Sequence, residues 1–180
     1  MINVKEKEKK AFSEMKERFG YTSRYAAPRM EKVVVSVGTG KMSKADKKRN
    51  EFIADRIAKI TGQKPVARGA KIAIASFKSR QGDIIGYSVT LRKERMYSFL
   101  DRLFNVTMPR IRDFRGFDKK SIDQMGNLTL GLKEHNVFPE TADEELKDVF
   151  GLAVTIVTTA KSKDEAAVFF EVLGVPFKKK

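Results

Sequence analysis

A strict alternation of apolar and polar side chains near the middle of the chain constrains the fold more than any other feature. Ile85, Tyr87, Val89 and Leu91 alternate with Gly86, Ser88, Thr90 and Arg92. This is the period of a strand with one buried and one polar face. Leu128, Leu130 and Leu132 repeat the pattern over a shorter run. Strands buried on both faces read instead as continuous apolar runs, so two-faced strands argue for a sheet covered on one side. Hairpin-linked strands interspersed with helical patterns therefore predict an antiparallel α+β layer and not a doubly wound sheet.

The remaining elements follow from period and punctuation. Val4 to Phe19 reads as a helix with Phe12, Met15 and Phe19 at helical spacing and Gly20 as its cap. Residues 1–24 then form an N-terminal helix and the start of a linker that runs to Arg29. Glu31 to Val37 is a Val-rich strand broken by Gly38 and Gly40, and Asp46 to Thr61 is a helix presenting Ile53, Ile57 and Ile60. Lys64 to Ile74 and Ile84 to Arg92 are expected to form a long hairpin whose tip carries Lys78, Arg80 and Gln81. Glu94 to Met108 is a helix with Met96, Phe99, Leu100, Leu103 and Phe104 along one stripe, ended by Pro109. Arg110 to Asn127 is irregular and basic. Leu152 to Thr159 is a strand, and Ser162 caps a last helix closed by Gly174. The tail Lys178 to Lys180 is expected to be mobile. No repeat and no low-complexity linker interrupts residues 1–180, so one domain is expected.

Charge points to the partner. Thirty-seven Lys and Arg against 23 Asp and Glu leave a net charge of +14. Such a surplus implies a polyanion, and nucleic acid comes first because phosphate contacts release counterions. No apolar run of about 18 residues exists, so no membrane span is expected. The N-terminus alternates Lys and Glu, unlike a signal or transit peptide. Cysteine is absent and His135 is the only histidine, which argues against a disulfide or a metal site, and no cofactor is expected.

Val37 to Ser43 looks at first like a phosphate loop, but Val35 stands where a nucleotide-binding loop needs glycine and Met42 where it needs a hydroxyl. The segment reads either as a flexible strand-to-helix turn or as a place where backbone amides at Gly38 and Gly40 approach RNA phosphates, unobstructed by side chains. His135, Glu134 and Glu140 lack the nucleophile or metal cluster that catalysis would require. The basic stretches carry more. Met108 to Phe117 places Arg110, Arg112 and Arg115 among Phe114 and Phe117, suited to phosphate pairing and base stacking, or else to a loop pinned to the core by its two phenylalanines. Lys64, Arg68, Lys71, Lys78 and Arg80 form a second basic set.

Several short motifs now line up in order: Gly-Gln-Lys-Pro at 62–65, Phe-Lys-Ser-Arg-Gln-Gly at 77–82, Val-Thr-Leu-Arg at 89–92, Pro-Arg-Ile-Arg-Asp-Phe-Arg-Gly at 109–116, Gly-Asn at 126–127, Phe-Pro-Glu at 138–140 and Thr-Thr-Ala-Lys-Ser at 158–162. Together they resemble the large-subunit ribosomal protein five family in its bacterial or organellar form, from about Tyr25 to the end. The resemblance implies a curved antiparallel sheet with helices on one side, ferredoxin-like elements and a long basic hairpin extension. It implies a structural, non-enzymatic protein of the large ribosomal subunit, cytoplasmic and ribosome-associated, that binds 5S ribosomal RNA in the central protuberance through its N-terminal helix, its first strand with the turn after it and the open sheet surface, and contacts large-subunit ribosomal RNA. By that resemblance Arg29, Ser36, Gly38, Gly40, Gln63, Lys64, Arg68, Thr90 and Arg92 are the candidate 5S contacts. Ser36 departs from the family's usual asparagine and loses the paired donor and acceptor of an amide. Ser76, Phe77, Lys78, Ser79 and Arg80 are the loop expected to touch P-site transfer RNA. Arg110, Arg112 and Arg115 are the residues expected to serve assembly or a bridge to a small-subunit head protein. Composition alone also allows a free-standing RNA-binding factor or a small basic RNA-processing enzyme. The motif series separates the ribosomal reading from both.

Overall fold

The computed structural model describes residues 3–40, 47–77, 79–142 and 149–178, apart from the side chains of Lys47 and Phe77. Five strands form one sheet: β1 (Met30–Gly38), β2 (Val66–Gly69), β3 (Ile84–Leu91), β4 (Leu128–Leu132) and β5 (Leu152–Thr158), in the order β2-β3-β1-β5-β4. The sheet is antiparallel and open, with the helices packed on one side, an α+β fold. The order β2-β3-β1-β5 is that of a split βαβ, ferredoxin-like arrangement, and β4 is added at its edge. On β5 the alternation is complete: Leu152, Val154, Ile156 and Thr158 are buried, and the residues between them are half-buried. On β4, Leu128, Leu130 and Leu132 face the core as their spacing predicts.

The chain divides into two compact units. The first comprises residues 1–33, 92–130 and 155–180 and carries the helices α1 (Val4–Phe19), α3 (Lys93–Arg102) and α4 (Lys163–Leu173). The Asn3 side chain accepts from the Glu6 amide at 3.2 Å and starts α1, while Gly20, at φ +66°, closes it. The buried stripe of α1 is Val4, Ala11 and Met15. Phe12 and Phe19 are only half-buried, so the face turned inward is rotated from the expected one. Carboxylates fix the helix: Asp101 accepts from the Val4 amide at 2.8 Å, and Glu8 accepts from the Met30 amide at 2.8 Å and the Tyr97 hydroxyl at 2.5 Å. Glu165, nearly buried on α4, accepts from the Tyr21 hydroxyl and from the Lys161 amide at 2.6 Å. Burial and then the Glu165 hydrogen bond push the Tyr21 hydroxyl well above its usual pKa.

One expectation fails in this unit. The helix expected to run to Met108 leaves α-helical geometry after Arg102, passing through a wide turn at Leu103–Thr107 in which the Met108 amide donates to the Leu103 carbonyl, and then a tight turn holding Pro109. Proline has no N–H to continue an α-helix and its ring collides with the preceding turn. The wider turn absorbs that conflict while keeping Leu103, Phe104, Thr107 and Met108 buried. Of the tail expected to be mobile, only Lys178 is described. Lys178 donates its amide to the Phe117 carbonyl at 2.9 Å, and Phe117 donates to the Pro176 carbonyl at 2.8 Å. Gly116, at φ +94°, leaves the room this seam needs, since a Cβ there would lie 2.7 Å from the Phe177 carbonyl carbon. Lys179 and Lys180 lie outside the described residues.

The second unit comprises residues 34–91 and 131–154. Its helix α2 (Lys47–Thr61) packs on β3 and on the turn Pro139–Thr141, burying Ile53, Ile57 and Ile60. His135 belongs to this core: it is 2% exposed, stacks on Phe150 with ring centroids 4.1 Å apart and meets the edge of Phe52. The strand expected over Lys64 to Ile74 is only the four residues of β2. Its pairing with β3 slips between Arg68 and Gly69, and the regular strand ends one residue later, with Gly69 paired to Ile84. The alternation on β3 also breaks. Val89 and Leu91 are buried as expected, but Ile85 is 39% exposed, Tyr87 is half-buried, and Gly86 and Ser88 are buried instead. Gly86 is buried because the Val37 carbonyl oxygen occupies the place of a side chain, 2.5 Å from where a Cβ would stand.

Candidate nucleic-acid interface

In the second unit, Val33–Val37 alternation leaves Val34 and Ser36 half-buried on the side of β1 away from the core, followed by exposed Gly38. On β3 the same side carries Gly86, Ser88 and half-buried Thr90, and on β2 it carries Val66 and Arg68, which lie across from Ser88 and Gly86. Small side chains keep this surface low, so a polyanion can approach the backbone. Arg68 lies across it: its Nε donates to Ser88 Oγ at 2.6 Å. Among the described residues neither Nη group of Arg68 has a protein acceptor, which leaves a forked pair of donors oriented by the sheet. Ser88 is thus a positioning residue that composition and motif did not single out. Only its place on the polar side of the β3 alternation hinted at it.

Gly38 and Gly40 differ from Gly86 in what surrounds them. Among the described residues a Cβ at either would meet nothing within 4 Å, and neither has a positive φ. Neither backbone strain nor packing against the described residues therefore requires glycine at these positions. The Thr39 amide between them is used by the Ile85 carbonyl at 2.9 Å. Lys41, Met42 and Ser43 of the phosphate-loop-like stretch lie outside the described residues.

Gln63 is placed less freely than a bare RNA contact. It follows the left-handed cap Gly62 of α2, at φ +67°, and its Nε2 donates to the Thr90 carbonyl at 3.4 Å. Gln63 and Thr90, expected on or beside strands, are thereby brought together, and Lys64 next to Gln63 is exposed.

The loop from Ala70 to Asp83 is laced by backbone bonds. Ala70 donates to Asp83, Gly82 donates back to Ala70, and Ile74 and Ser79 exchange bonds of 3.1 and 3.2 Å around a short helical turn at Ala75–Phe77. Ser76 and Arg80 are exposed and Ser79 is half-buried, while Lys78 and the Phe77 side chain lie outside the described residues. Gly82, at φ +89°, and the Asp83 carboxylate, which accepts from the Arg80 amide at 2.8 Å, shape the return. Ile72 and Ile74 are exposed as well, so the projection is apolar along its sides as well as basic.

In the first unit Arg29 and Arg92 are exposed, and Arg92 reaches Glu31 at 3.4 Å. Arg110, Arg112 and Arg115 are all exposed on a segment pinned by Phe114 and Phe117, whose rings meet edge to face at 5.0 Å. Among the described residues Asp113, at φ +54°, forms no ion pair with a neighbouring arginine. Among the described residues the three arginines form no ion pair, so Asp113 does not neutralise them as the structural alternative expected. Among the described residues no cluster of three or more His, Asp or Glu is placed to hold a metal ion, and no helix is long and apolar enough to cross a membrane.

Comparison with known proteins gives a consistent answer. Residues 23–80 match the family described as ribosomal protein L5, and residues 84–177 match the model of that ribosomal family's C-terminus. The large ribosomal subunit protein uL5 of Halothermothrix orenii is 50% identical over 161 residues, covering 89% of each chain. Its namesake in Thermoanaerobacter sp. is 46% identical over 180 residues, covering 99% of this chain and all of the relative. The protein of the same name from Synechococcus sp. is 47% identical over 163 residues, 91% of this chain and 90% of the relative.

Proposed function

Because the chain belongs to the ribosomal protein L5 family, structural and non-enzymatic constituents of the large ribosomal subunit, we propose that it anchors 5S ribosomal RNA through the open face of its second unit. The relatives are of the bacterial type, and the chain's place is on the ribosome in the cytoplasm. On this reading Arg68 pairs with a phosphate through its free Nη groups, and the strip at Gly38 and Gly40 lets sugar or phosphate meet backbone amides. Ser36, Gln63, Lys64 and Thr90 complete the face, and Arg29 and Arg92 on the first unit add further phosphate contacts. Large-subunit ribosomal RNA meets the remaining basic surface. The observation that carries the reading is the space around Gly38 and Gly40, which no described residue fills and which gives glycine a purpose outside packing against them.

The loop Ser76, Phe77, Lys78, Ser79 and Arg80 contacts P-site transfer RNA, and Arg110, Arg112 and Arg115 serve assembly or the bridge to a small-subunit head protein. Filter binding of the full chain to 5S ribosomal RNA, against an unrelated RNA of equal length, tests the first and central element. Preference for 5S RNA that weakens as salt rises is the expected result. Equal affinity for both RNAs refutes it.

A further inference from the structure

The stretch Lys71–Ala75 has the sequence of a strand without a strand's pairing. Isoleucine alternates with alanine through Ile72, Ala73, Ile74 and Ala75, and no proline interrupts the run. Isoleucines in such a pattern favour extended backbone. Yet β2 ends at Gly69. Beyond it Ala70 bonds across the hairpin to Gly82 and Asp83, and Ile74 to Ser79. Between those rungs, among the described residues, the backbone amides and carbonyls of Lys71, Ile72 and Ala73 make no hydrogen bond within the protein. The stretch prolongs β2, which stands last in the sheet with β3 on one side and, among the described residues, no strand on the other.

The side chains are uncovered as well. Ile72 is 73% exposed, Ile74 45%, and Val66 of β2 58%. Two residues apart, Ile72 and Ile74 fall on one side of any strand formed there. Three properties select what would cover them. Unpaired backbone at a sheet edge is satisfied by another strand, whereas a lipid surface would leave those groups without partners. Aliphatic isoleucines give bases nothing to stack on, which disfavours RNA. Charge disfavours a second copy, because the loop carries Lys71, Lys78 and Arg80 against one carboxylate, Asp83, on a chain of net charge +14. An acidic protein segment with apolar side chains at alternate positions meets all three.

We propose that the outer edge of β2 and Lys71–Ala75 bind such a segment of another protein, which adds as a further strand and draws Lys71–Ala75 into a continuation of β2. The site uses the edge of the sheet and not its open face, and it stops short of Ser76–Arg80 at the tip. It is therefore separate from both RNA contacts described above.

The probe is a blocked peptide alternating Val and Glu, titrated into the full chain, with hydrogen exchange as the local readout. Binding that slows the Ile72 and Ala73 amides is expected. Ile72→Ser with Ile74→Ser, both at exposed positions, should weaken it about tenfold or more. The same variant should bind 5S RNA as the wild type does, so a failure here leaves the 5S reading standing. The same peptide N-methylated at alternate amides, which cannot pair along an edge, should not bind. No binding of the unmodified peptide, or equal binding by the serine variant or by the N-methylated peptide, would overturn the proposal. Two further outcomes would also overturn it. Binding of phosphatidylglycerol vesicles that the serine variant loses, without peptide binding, would reassign the stretch to a lipid surface. Wild-type dimers in sedimentation that the serine variant abolishes would reassign it to a second copy.

Discussion

Gly86→Ala is the sharpest structural perturbation available on the proposed 5S face. The new methyl group would stand 2.5 Å from the Val37 carbonyl oxygen and 3.5 Å from the Gly38 Cα, both backbone atoms that cannot swing aside. β3 must therefore move away from β1. Overpacking of this kind costs about 1–3 kcal/mol. The nearby Thr39 to Ile85 backbone bond, 2.9 Å long, would weaken, and one such bond contributes about 1 kcal/mol. Replacing glycine also restricts the unfolded chain and returns about 0.4–1 kcal/mol. The net loss is about 2 kcal/mol, which for a protein of this length lowers Tm by roughly 4–8 °C. Calorimetry of the two chains side by side measures it. Gly38→Ala serves as the matched control, since its Cβ meets nothing within 4 Å. Its Tm should hold or rise slightly while its affinity for 5S RNA falls. A Gly86→Ala protein that melts with the wild type, or a Gly38→Ala protein that melts several degrees early, would refute the reasoning about which glycines serve packing and which serve RNA.

Ser88→Ala should leave the fold intact yet weaken 5S binding several-fold, because Arg68 loses the hydroxyl that orients its fork; titration of 5S RNA with this variant checks it, and unchanged affinity would count against that role. Burial and then the hydrogen bond to Glu8 raise the Tyr97 hydroxyl well above its ordinary pKa, so the folded state holds this proton more tightly than the unfolded chain. The stabilisation is complete below about pH 10, where an unfolded tyrosine ionises, and is lost as pH rises beyond it. Denaturant midpoints from about pH 8 to 11, a window that spans the onset of that ionisation, should fall more for the wild type than for Tyr97→Phe. Arg110→Ala with Arg112→Ala, both exposed, should leave Tm within about 1 °C but reduce subunit joining, read from ribosome profiles in a sucrose gradient. Arg80→Ala should weaken retention of P-site transfer RNA while leaving 5S affinity nearly unchanged; filter retention of both RNAs separates the two.

What could be read from the sequence depended on whether local chemistry decided the outcome. α1 and α4 were legible almost to the residue because their ends are set by local caps, Asn3 with Gly20 and Ser162 with Gly174. β4 was legible because its alternation meets a single core face. Elsewhere a partner distant in sequence decided. The burial of Gly86 depends on the Val37 carbonyl, and the shortness of β2 depends on where its pairing with β3 slips. The break in α3 was signalled by Pro109, but the wide turn ahead of it, which holds buried Leu103, Phe104 and Thr107, was not. Among the candidate contacts, Arg68 was visible as a charge, whereas the hydroxyl that aims it was not. Gln63 read as an RNA contact, yet its amide also ties α2 to the Thr90 carbonyl.

Hydrogen exchange of the full chain, with and without saturating 5S ribosomal RNA, tests the central claim most directly. Amides from Val34 through the end of β1 to Gly40, on β2 and on β3 should slow on RNA addition, while those of the projecting loop from Ile72 to Gly82 should not change. Protection confined to that loop, or to the arginine-rich segment from Arg110 to Arg115, with the β1–β3 face exchanging as in the free protein, would contradict the account.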